Sequence, residues 1–235
     1  MSYIDTTQAE AKLKELHSTL KIKHGTFNEE YPEQLLSVMF LKGNEKILEI
    51  GGNIGRNSLI ISKILNDSRN LAVFESHKTI AQQLLENREL NNLQFHVIGK
   101  ALSALPLIQH KDSWTCSFSE TVPAGFIKVD TITYNDFKQS IDIDFDTLVI
   151  DCEGAFYYIL LQMPEILENI KTIIMENDYH VVNHKAYVDD VLKKNDFDVV
   201  CSMPLTSHRK CFLHTRDRFY EVWKKQPSTN DKNEL

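Results

Sequence analysis

The sequence lacks several features that mark other classes of protein. Its four cysteines, among 235 residues, are scattered without a Cys-x-x-Cys pair, which argues against a disulfide framework and is typical of reduced thiols in the cytoplasm. No apolar run approaches the ~18 residues of a membrane span, and no apolar segment follows the polar N-terminus. The 26 basic residues are outnumbered by 33 acidic ones, and a net charge of −7 disfavours a broad nucleic-acid-binding surface. We therefore expect a cytoplasmic protein without membrane or nucleic-acid partners.

The composition is that of an ordinary folded chain, with 42% apolar and 25% charged residues. Short apolar runs alternate with amphipathic stretches along it. The runs predict buried strands at residues 46–50, 71–74, 93–98, 146–150 and 171–175. The amphipathic stretches predict helices at residues 6–20, 32–39, 57–66, 78–90, 155–162 and 186–195, and Thr133 has the character of a further helix cap. Residues 100–129 are polar and predict an extended or hairpin excursion.

Strands that alternate with helices predict an α/β fold, in which a mostly parallel sheet carries helices on both faces. Residues 197–203 and 210–215 predict a final antiparallel pair. We expect a helical extension at residues 1–40, one main domain at 41–225 and a flexible tail at 226–235. The N-terminal helix is interpreted either as a lid over a site or as scaffold.

A glycine-rich turn follows the first predicted strand. Glu49, Gly51 and Gly55 have the spacing acid-x-Gly-x-x-x-Gly. That spacing matches neither the dinucleotide fingerprint, which argues against a nicotinamide-dependent oxidoreductase, nor a phosphate loop, and it is typical of S-adenosylmethionine enzymes. The alternative is a turn needed only for close helix–strand packing.

Three other predicted strands end in a carboxylate, namely Glu75, Asp151 and Glu176. In a parallel sheet these ends share one edge, beyond which ligands bind. Glu75 offers two oxygens in one plane, which suits the two hydroxyls of a ribose. Its alternative is a solvated acid at a strand end.

At these residues the sequence resembles the FkbM-type S-adenosylmethionine-dependent methyltransferase family. The resemblance rests on residues 48–59, on 73–76 with 85–87, on 148–155 and, more weakly, on 100–103. Its most specific element is Asp151-x-Glu153-Gly154 ahead of a predicted helix. Two positions depart from the family pattern, because Val149 stands where lysine is frequent and Glu49 where aspartate is frequent.

The resemblance implies a class I methyltransferase (Rossmann-like) fold with a mostly parallel seven-stranded sheet whose last strand is antiparallel. It also implies S-adenosylmethionine as methyl donor and O-methylation of a sugar, a glycan or another small hydroxyl compound. Spacing and resemblance together assign ten residues to the cofactor: Glu49, Gly51, Gly52, Asn53, Gly55, Asn57, Glu75, Ser76, Ala101 and Asp151.

A hydroxyl acceptor needs a base or a metal ion that lowers its pKa. The candidate catalytic residues are Asp151, Glu153, Glu176 and His180. Either Asp151 takes the proton directly, or Asp151, Glu176 and Asn177 hold a divalent ion such as Mg²⁺. The direct version is preferred, because only two carboxylates are firmly placed at the strand ends. The alternative for Asp151 and Glu153 is that they cap the helix that follows.

Other side chains give weaker indications. His180 and His184 would share one face of a helix, as zinc ligands do, or one of them would serve as a base. Trp114, Phe118 and Tyr134 are candidates for a substrate pocket or for the core. The competing functions are an N-methyltransferase, which needs no strong base, and a non-catalytic domain that keeps the fold. The sequence leaves the acceptor and the oligomeric state open.

Overall fold

The computed structural model describes residues 5–111, 116–206 and 212–227. Two helices come first, α1 (Thr6–Thr19) and α2 (Tyr31–Phe40). Asp5 caps α1 by accepting a hydrogen bond from the backbone N–H of Gln8. Pro32 lies in the first turn of α2, where its missing N–H costs nothing.

Strands and helices then alternate along the described chain. The first half contains β1 (Ile47–Ile50), α3 (Arg56–Ile64), β2 (Leu71–Phe74), α4 (Lys78–Leu90) and β3 (His96–Ile98). The second half contains α5 (Tyr134–Ser140), β9 (Thr147–Ile150), α6 (Phe156–Gln162), β10 (Thr172–Glu176), α7 (Val182–Lys194), β11 (Phe197–Met203) and β12 (Tyr220–Lys225). Thr133 caps α5, as predicted, by accepting from the N–H of Asp136.

The predicted excursion between β3 and α5 is extended, as expected where it is described. It contains β4 (Ala101–Leu102), β5 (Leu107–His110), β6 (Cys116–Phe118), β7 (Phe126–Val129) and β8 (Thr131–Ile132). β4 pairs with β8, and β5 pairs with both β6 and β7 in a small antiparallel sheet. The excursion is therefore an insert whose two ends are joined by the β4–β8 pair.

The main sheet has seven strands in the order β11-β12-β10-β9-β1-β2-β3. β3, β2, β1, β9 and β10 are parallel, and β12 runs antiparallel to both of its neighbours. The α/β fold class with a mostly parallel seven-stranded sheet and an antiparallel last strand is thus confirmed.

The position of that last strand was predicted wrongly. We expected it at residues 210–215, of which 210 and 211 lie outside the described residues. Phe212 to Thr215 form a helical turn instead, and the strand is β12 at Tyr220–Lys225. β12 contributes Val222 and Trp223 to the core, both with no exposed surface. Burial of these two side chains fixes the strand ten residues later than expected.

The sheet separates two hydrophobic clusters because neighbouring strand residues point to opposite faces. Leu48, Leu148 and Ile173 face a cluster with Phe156 and Trp223. Ile47, Val149 and Ile174 face the other cluster, which α1, α2 and α3 cover with residues such as Leu13, Leu36 and Leu59. Both N-terminal helices thus pack on the same core as the sheet, and the proposed boundary at residue 40 stays a prediction. No helix in the described part of the chain is long and apolar enough to cross a membrane.

Candidate active site

Four predicted site residues follow strands that end at one level. The register aligns Ile50 with both Phe74 and Ile150, and Ile150 with Met175. The next residues are Gly51, Glu75, Asp151 and, as the last residue of β10, Glu176. The parallel sheet therefore brings them to one edge, as the sequence predicted.

The glycine turn packs tightly between its neighbours. The N–H groups of Gly51 and Gly52 both donate to the carbonyl of Phe74, each at 2.9 Å. Gly51 has φ of +92°, and a Cβ built there would lie 1.5 Å from the carbonyl oxygen of Asp151. A Cβ on Gly52 would lie 2.1 Å from Val73 Cγ1. Only glycine allows the ends of β1 and β9 to approach so closely.

Glu75 is buried and bound to the backbone around it. One carboxylate oxygen accepts from the N–H of Asn53 at 3.0 Å, and the other from the N–H of His77 at 2.7 Å. Burial raises the pKa of Glu75, and the backbone donors oppose that rise. Each oxygen retains a second lone pair that can accept from a ligand. Glu75 is thus a preorganised double acceptor at the tip of β2.

A cavity of about 770 Å³ opens at this edge of the sheet. Its lining includes eight of the residues that the sequence assigned to the cofactor or to catalysis: Gly51, Asn53, Glu75, Ser76, Ala101, Asp151, Glu153 and His180. The insert adds Gln109, Cys116 and Phe118, and α6 adds Tyr158. A volume of this size lies within the range of pockets that bind small ligands and cofactors, about 300–1,000 Å³.

Four of the residues assigned to the cofactor are absent from this lining. Gly52 and Gly55 face Leu84 of α4. Glu49 lies under the turn with only 3% of its surface exposed, and it accepts from the Ser58 hydroxyl at 2.5 Å. Burial raises the pKa of Glu49 to about 8. Asn57 accepts from the Ser37 hydroxyl at 2.9 Å. These four residues therefore pack behind the glycine turn, on the side away from the cavity.

The segment after β9 has an unusual backbone. Glu153 has φ of +53° and Gly154 has φ of +77°, so two consecutive residues are left-handed. The N–H of Gly154 donates to Asp178 at 2.7 Å, which holds the turn against the end of β10. Burial raises the pKa of Asp178 to about 8. α6 begins at Phe156 with Ala155 as N-cap and has no side-chain capping hydrogen bond. Neither Asp151 nor Glu153 therefore caps this helix by a side-chain hydrogen bond, which was the alternative interpretation of the two acids. A strained non-glycine residue at the edge of a cavity is a mark of functional sites.

Asp151 and Glu176 lie next to a third carboxylate that sequence analysis missed. One oxygen each of Glu33, Asp151 and Glu176 lies within 4.8 Å of the others. Burial raises the pKa of Asp151 well above its usual range, and Glu33 adds to that rise. Burial also raises the pKa of Glu176, with Asp151 the next cause. Nothing in the spacing of Glu33, which lies on α2, indicates that α2 packs over the ends of β9 and β10.

Asn177 has a different environment from its neighbour Glu176. Its side chain is fully buried, and its amide donates to the carbonyl of Arg218 at 2.7 Å. Its backbone N–H donates to the carbonyl of Phe219 at 2.6 Å. Asn177 therefore fastens the segment that leads into β12.

The two histidines contact different aromatic rings. His180 lies 4.9 Å from the ring of Phe212, whereas His184 stacks on Tyr157 at 3.8 Å within the first turn of α7. Phe118 contacts Tyr158 edge-to-face at the cavity, whereas Tyr134 belongs to the core. Trp114 lies outside the described residues.

Solved structures share this architecture. An O-methyltransferase from Bacillus cereus in complex with SAH (S-adenosylhomocysteine) is 13% identical over 94% of this chain and 92% of its own, with a TM-score of 0.54. A proposed O-methyltransferase from Klebsiella pneumoniae is 14% identical over 93% and 90%, with a TM-score of 0.50. A proposed tRNA (m1A22) methyltransferase from Streptococcus pneumoniae, in complex with S-adenosyl-L-methionine, is 12% identical over 85% and 76%, with a TM-score of 0.50.

These likenesses define the fold of the chain as the Rossmann-like methyltransferase fold. At identities below 15% they establish the architecture and no more. No protein-family model matches the sequence, and no curated protein does. Membership of the FkbM-type family stays a prediction.

Proposed function

We propose that the protein is an S-adenosylmethionine-dependent methyltransferase that acts on a hydroxyl group of a sugar, a glycan or another small metabolite. The observation that carries the proposal is the joint lining of one 770 Å³ cavity by Gly51, Glu75 and Asp151. The cavity lies beyond the carboxyl ends of parallel strands, where this class of sheet binds ligands. Two structures of the same fold were solved with SAH and S-adenosyl-L-methionine.

The residues around the cavity fit the chemical groups of this cofactor. Glu75 can accept hydrogen bonds from the two ribose hydroxyls with its remaining lone pairs. Ser76 and Ala101 lie beside it in the lining, where a purine ring would be held. The exposed backbone of the glycine turn allows close approach of the amino-acid part. When bound, the cofactor supplies an electrophilic methyl group on a sulfonium.

The chain itself must orient the acceptor and remove its proton. Asp151 borders the cavity, and burial among other carboxylates strengthens its hold on a proton. A base of raised pKa is better matched to a weakly acidic hydroxyl than an ordinary carboxylate is. An amine acceptor would not require such a group, so the environment of Asp151 favours O-methylation over N-methylation.

The insert supplies features suited to a small hydroxylated ring. Phe118 and Tyr158 form an aromatic wall, with ring centroids 5.1 Å apart. Gln109 lines the cavity with 2% of its surface exposed, and its side-chain oxygen has no hydrogen-bond partner. A buried acceptor without a donor suits a ligand hydroxyl. The net charge of −7 disfavours a nucleic-acid acceptor.

Calorimetric titration with SAH tests the proposal. We expect binding at one site per chain, and Glu75→Ala should weaken it by about 1–3 kcal/mol, the loss expected for hydrogen bonds to a charged acceptor. Glu89→Ala, an exposed acid on α4, is the matched control and should bind as the wild type does. If Glu75→Ala and wild type bind equally well, or neither binds, the assignment of the cavity is wrong. A labelled-methyl assay over a panel of hydroxyl and amine acceptors then identifies the substrate.

A further inference from the structure

A second, much smaller cavity lies between α2 and the sheet. Its volume is about 10 Å³, close to the space that one water molecule or ion needs. Five carboxylate residues and the phenol-bearing Tyr220 are among those that line it: Glu30, Glu33, Glu49, Asp151, Glu176 and Tyr220. Gly51 and Asp151 also line the large cavity, so the two spaces adjoin.

The negative charge here has little compensation from the chain. Arg56 is the buried cation of this region, and its guanidinium pairs with Glu29 and, at 2.7 Å, with Glu30. Within the described residues, neither Glu33 nor Asp151 nor Glu176 forms an ion pair with Lys, Arg or His. Three carboxyl groups in such contact need protons or an external cation for neutrality.

An independent feature favours a cation. Glu33 has only 7% of its surface exposed, yet its Oε2 atom is buried and has no hydrogen-bond partner. Glu33 lines the small cavity, so this carboxylate borders a space of the size of one ion. Buried acceptors in native proteins almost always have a partner. A bound cation would supply that partner.

We propose that Glu33, Asp151 and Glu176 bind one divalent cation that prefers oxygen ligands. Their oxygens lie within 4.8 Å of one another. Two ligands of a Ca²⁺ ion, each at about 2.3–2.6 Å, are separated by at most about 5 Å, and every pair of the three oxygens meets that limit. Each ligand comes from a different element, namely α2, the end of β9 and the end of β10. The ion would therefore fasten α2 to the sheet beside the large cavity, and its binding requires no methyl transfer.

Ion binding can be measured directly on the full chain after treatment with EDTA and removal of the chelator. Titration with CaCl2, MnCl2 and MgCl2, in the absence of any adenosyl compound, should show one site. A saturating ion should raise the melting temperature by about 5 °C or more, the shift expected when ligand exceeds the dissociation constant about 100-fold. KCl at equal ionic strength should leave the melting temperature unchanged.

The variant Glu33→Gln keeps the shape of the side chain and removes its charge. We expect it to bind the ion at least ten-fold more weakly, with the thermal shift lost, whereas Glu15→Gln, at an exposed position of α1, should behave as wild type. Equal ion binding by wild type and Glu33→Gln, or no binding by wild type, overturns the proposal. Loss of SAH binding in Glu33→Gln, without any ion binding by wild type, would also overturn it and assign the cluster to the ammonium group of the cofactor.

A measurement on the wild type covers the case in which Glu33→Gln fails to fold. Tyr220 lines the small cavity, so Tb³⁺ bound there should show emission sensitised by tyrosine excitation. Ca²⁺ should displace Tb³⁺ from a single site per chain and so abolish this emission. Emission that is absent, or that Ca²⁺ does not displace, contradicts the proposed site. Because SAH is left out of this experiment, its failure says nothing against methyl transfer.

Discussion

Asp151 is the residue on which most of the proposed chemistry depends. Asp151→Asn keeps the size of the side chain and removes its ability to hold an acceptor proton. We expect SAH binding to be retained and methyl transfer to fall by about 10²-fold or more, the usual contribution of a positioned base. Steady-state rates together with calorimetry measure the two effects separately. Asp190→Asn on the exposed face of α7 is the control.

Treatment of the wild type with EDTA separates two roles of Asp151. If the carboxylate acts only as a base, EDTA leaves the wild-type rate unchanged. If it acts through a bound ion, EDTA lowers the rate and added divalent ion restores it. Near-normal turnover of Asp151→Asn would contradict both roles.

Gly51 has a structural role besides the cofactor role that the sequence predicts for it. The structure adds a stronger constraint, because a Cβ would lie 1.5 Å from the backbone of Asp151. Gly51→Ala should therefore lower the free energy of unfolding by more than about 3 kcal/mol, beyond ordinary overpacking.

Chemical denaturation measures the effect of Gly51→Ala. Gly99→Ala is the control, because the new Cβ would meet only the Ala81 methyl at an ordinary 3.6 Å. If the Gly51 variant is as stable as the control, the tight contact between β1 and β9 is not required.

At the scale of single residues, the sequence predicted what depends on chain order. Gly51, Glu75, Asp151 and Glu176 follow strands, and the parallel arrangement aligns strand ends whatever the details of packing. Glu33 and Glu30 escaped prediction because they reach the site only through the way α2 lies across the sheet. Asn177 was grouped with Glu176 by adjacency, yet neighbouring residues at a strand end face opposite sides.

The strands of the main sheet were predicted well where both of their faces are buried. β1, β2, β9 and β10 are of this kind, and their sequences are short, mainly apolar runs. β12 was misplaced because residues 210–215 and 220–225 each contain a short apolar stretch between polar residues. Only the contacts of Trp223 and Val222 with the core select the second segment.

The docking of α7 on β12 depends on a buried ion pair. Lys185 of α7 donates to Glu221 of β12 at 2.7 Å, and Glu221 has no exposed surface. Lys185→Met should lower the free energy of unfolding by about 3 kcal/mol, because it leaves a buried carboxylate with weaker partners. Lys194→Met removes an exposed ion pair, with Asp190 of the same helix, and should have little effect. Equal urea midpoints for the two variants would show that the buried pair contributes nothing.

For the molecule as a whole, buried acids should make stability depend on pH. The pKa of Glu49 is about 8 in the folded protein and 4.5 as an ordinary side chain. Between these values the folded state holds a proton that the unfolded chain has released. Stability therefore falls as pH rises from 4.5 to about 8, by at most about 1.4 kcal/mol per pH unit for this group.

Glu49→Gln removes this contribution and should be less sensitive to pH than the wild type. Urea unfolding at pH 5, 6.5 and 8 in the presence of EDTA measures both proteins without interference from ions. The gap between the two should change in favour of the variant as pH rises. A constant gap would mean that Glu49 is ionised in the folded protein throughout this range.

The insert that carries Gln109 and Phe118 has a consequence for evolution and engineering. Its two ends meet in the short β4–β8 pair, where the N–H of Ala101 donates to Asp130 and that of Ser103 to Ile132. The described strands between these ends, β5, β6 and β7, form a small sheet of their own, apart from the seven strands of the main sheet. The insert could therefore be replaced without changing the strands of the main sheet. A relative could take on a new acceptor by replacing it, while the glycine turn, Glu75 and Asp151 are inherited unchanged.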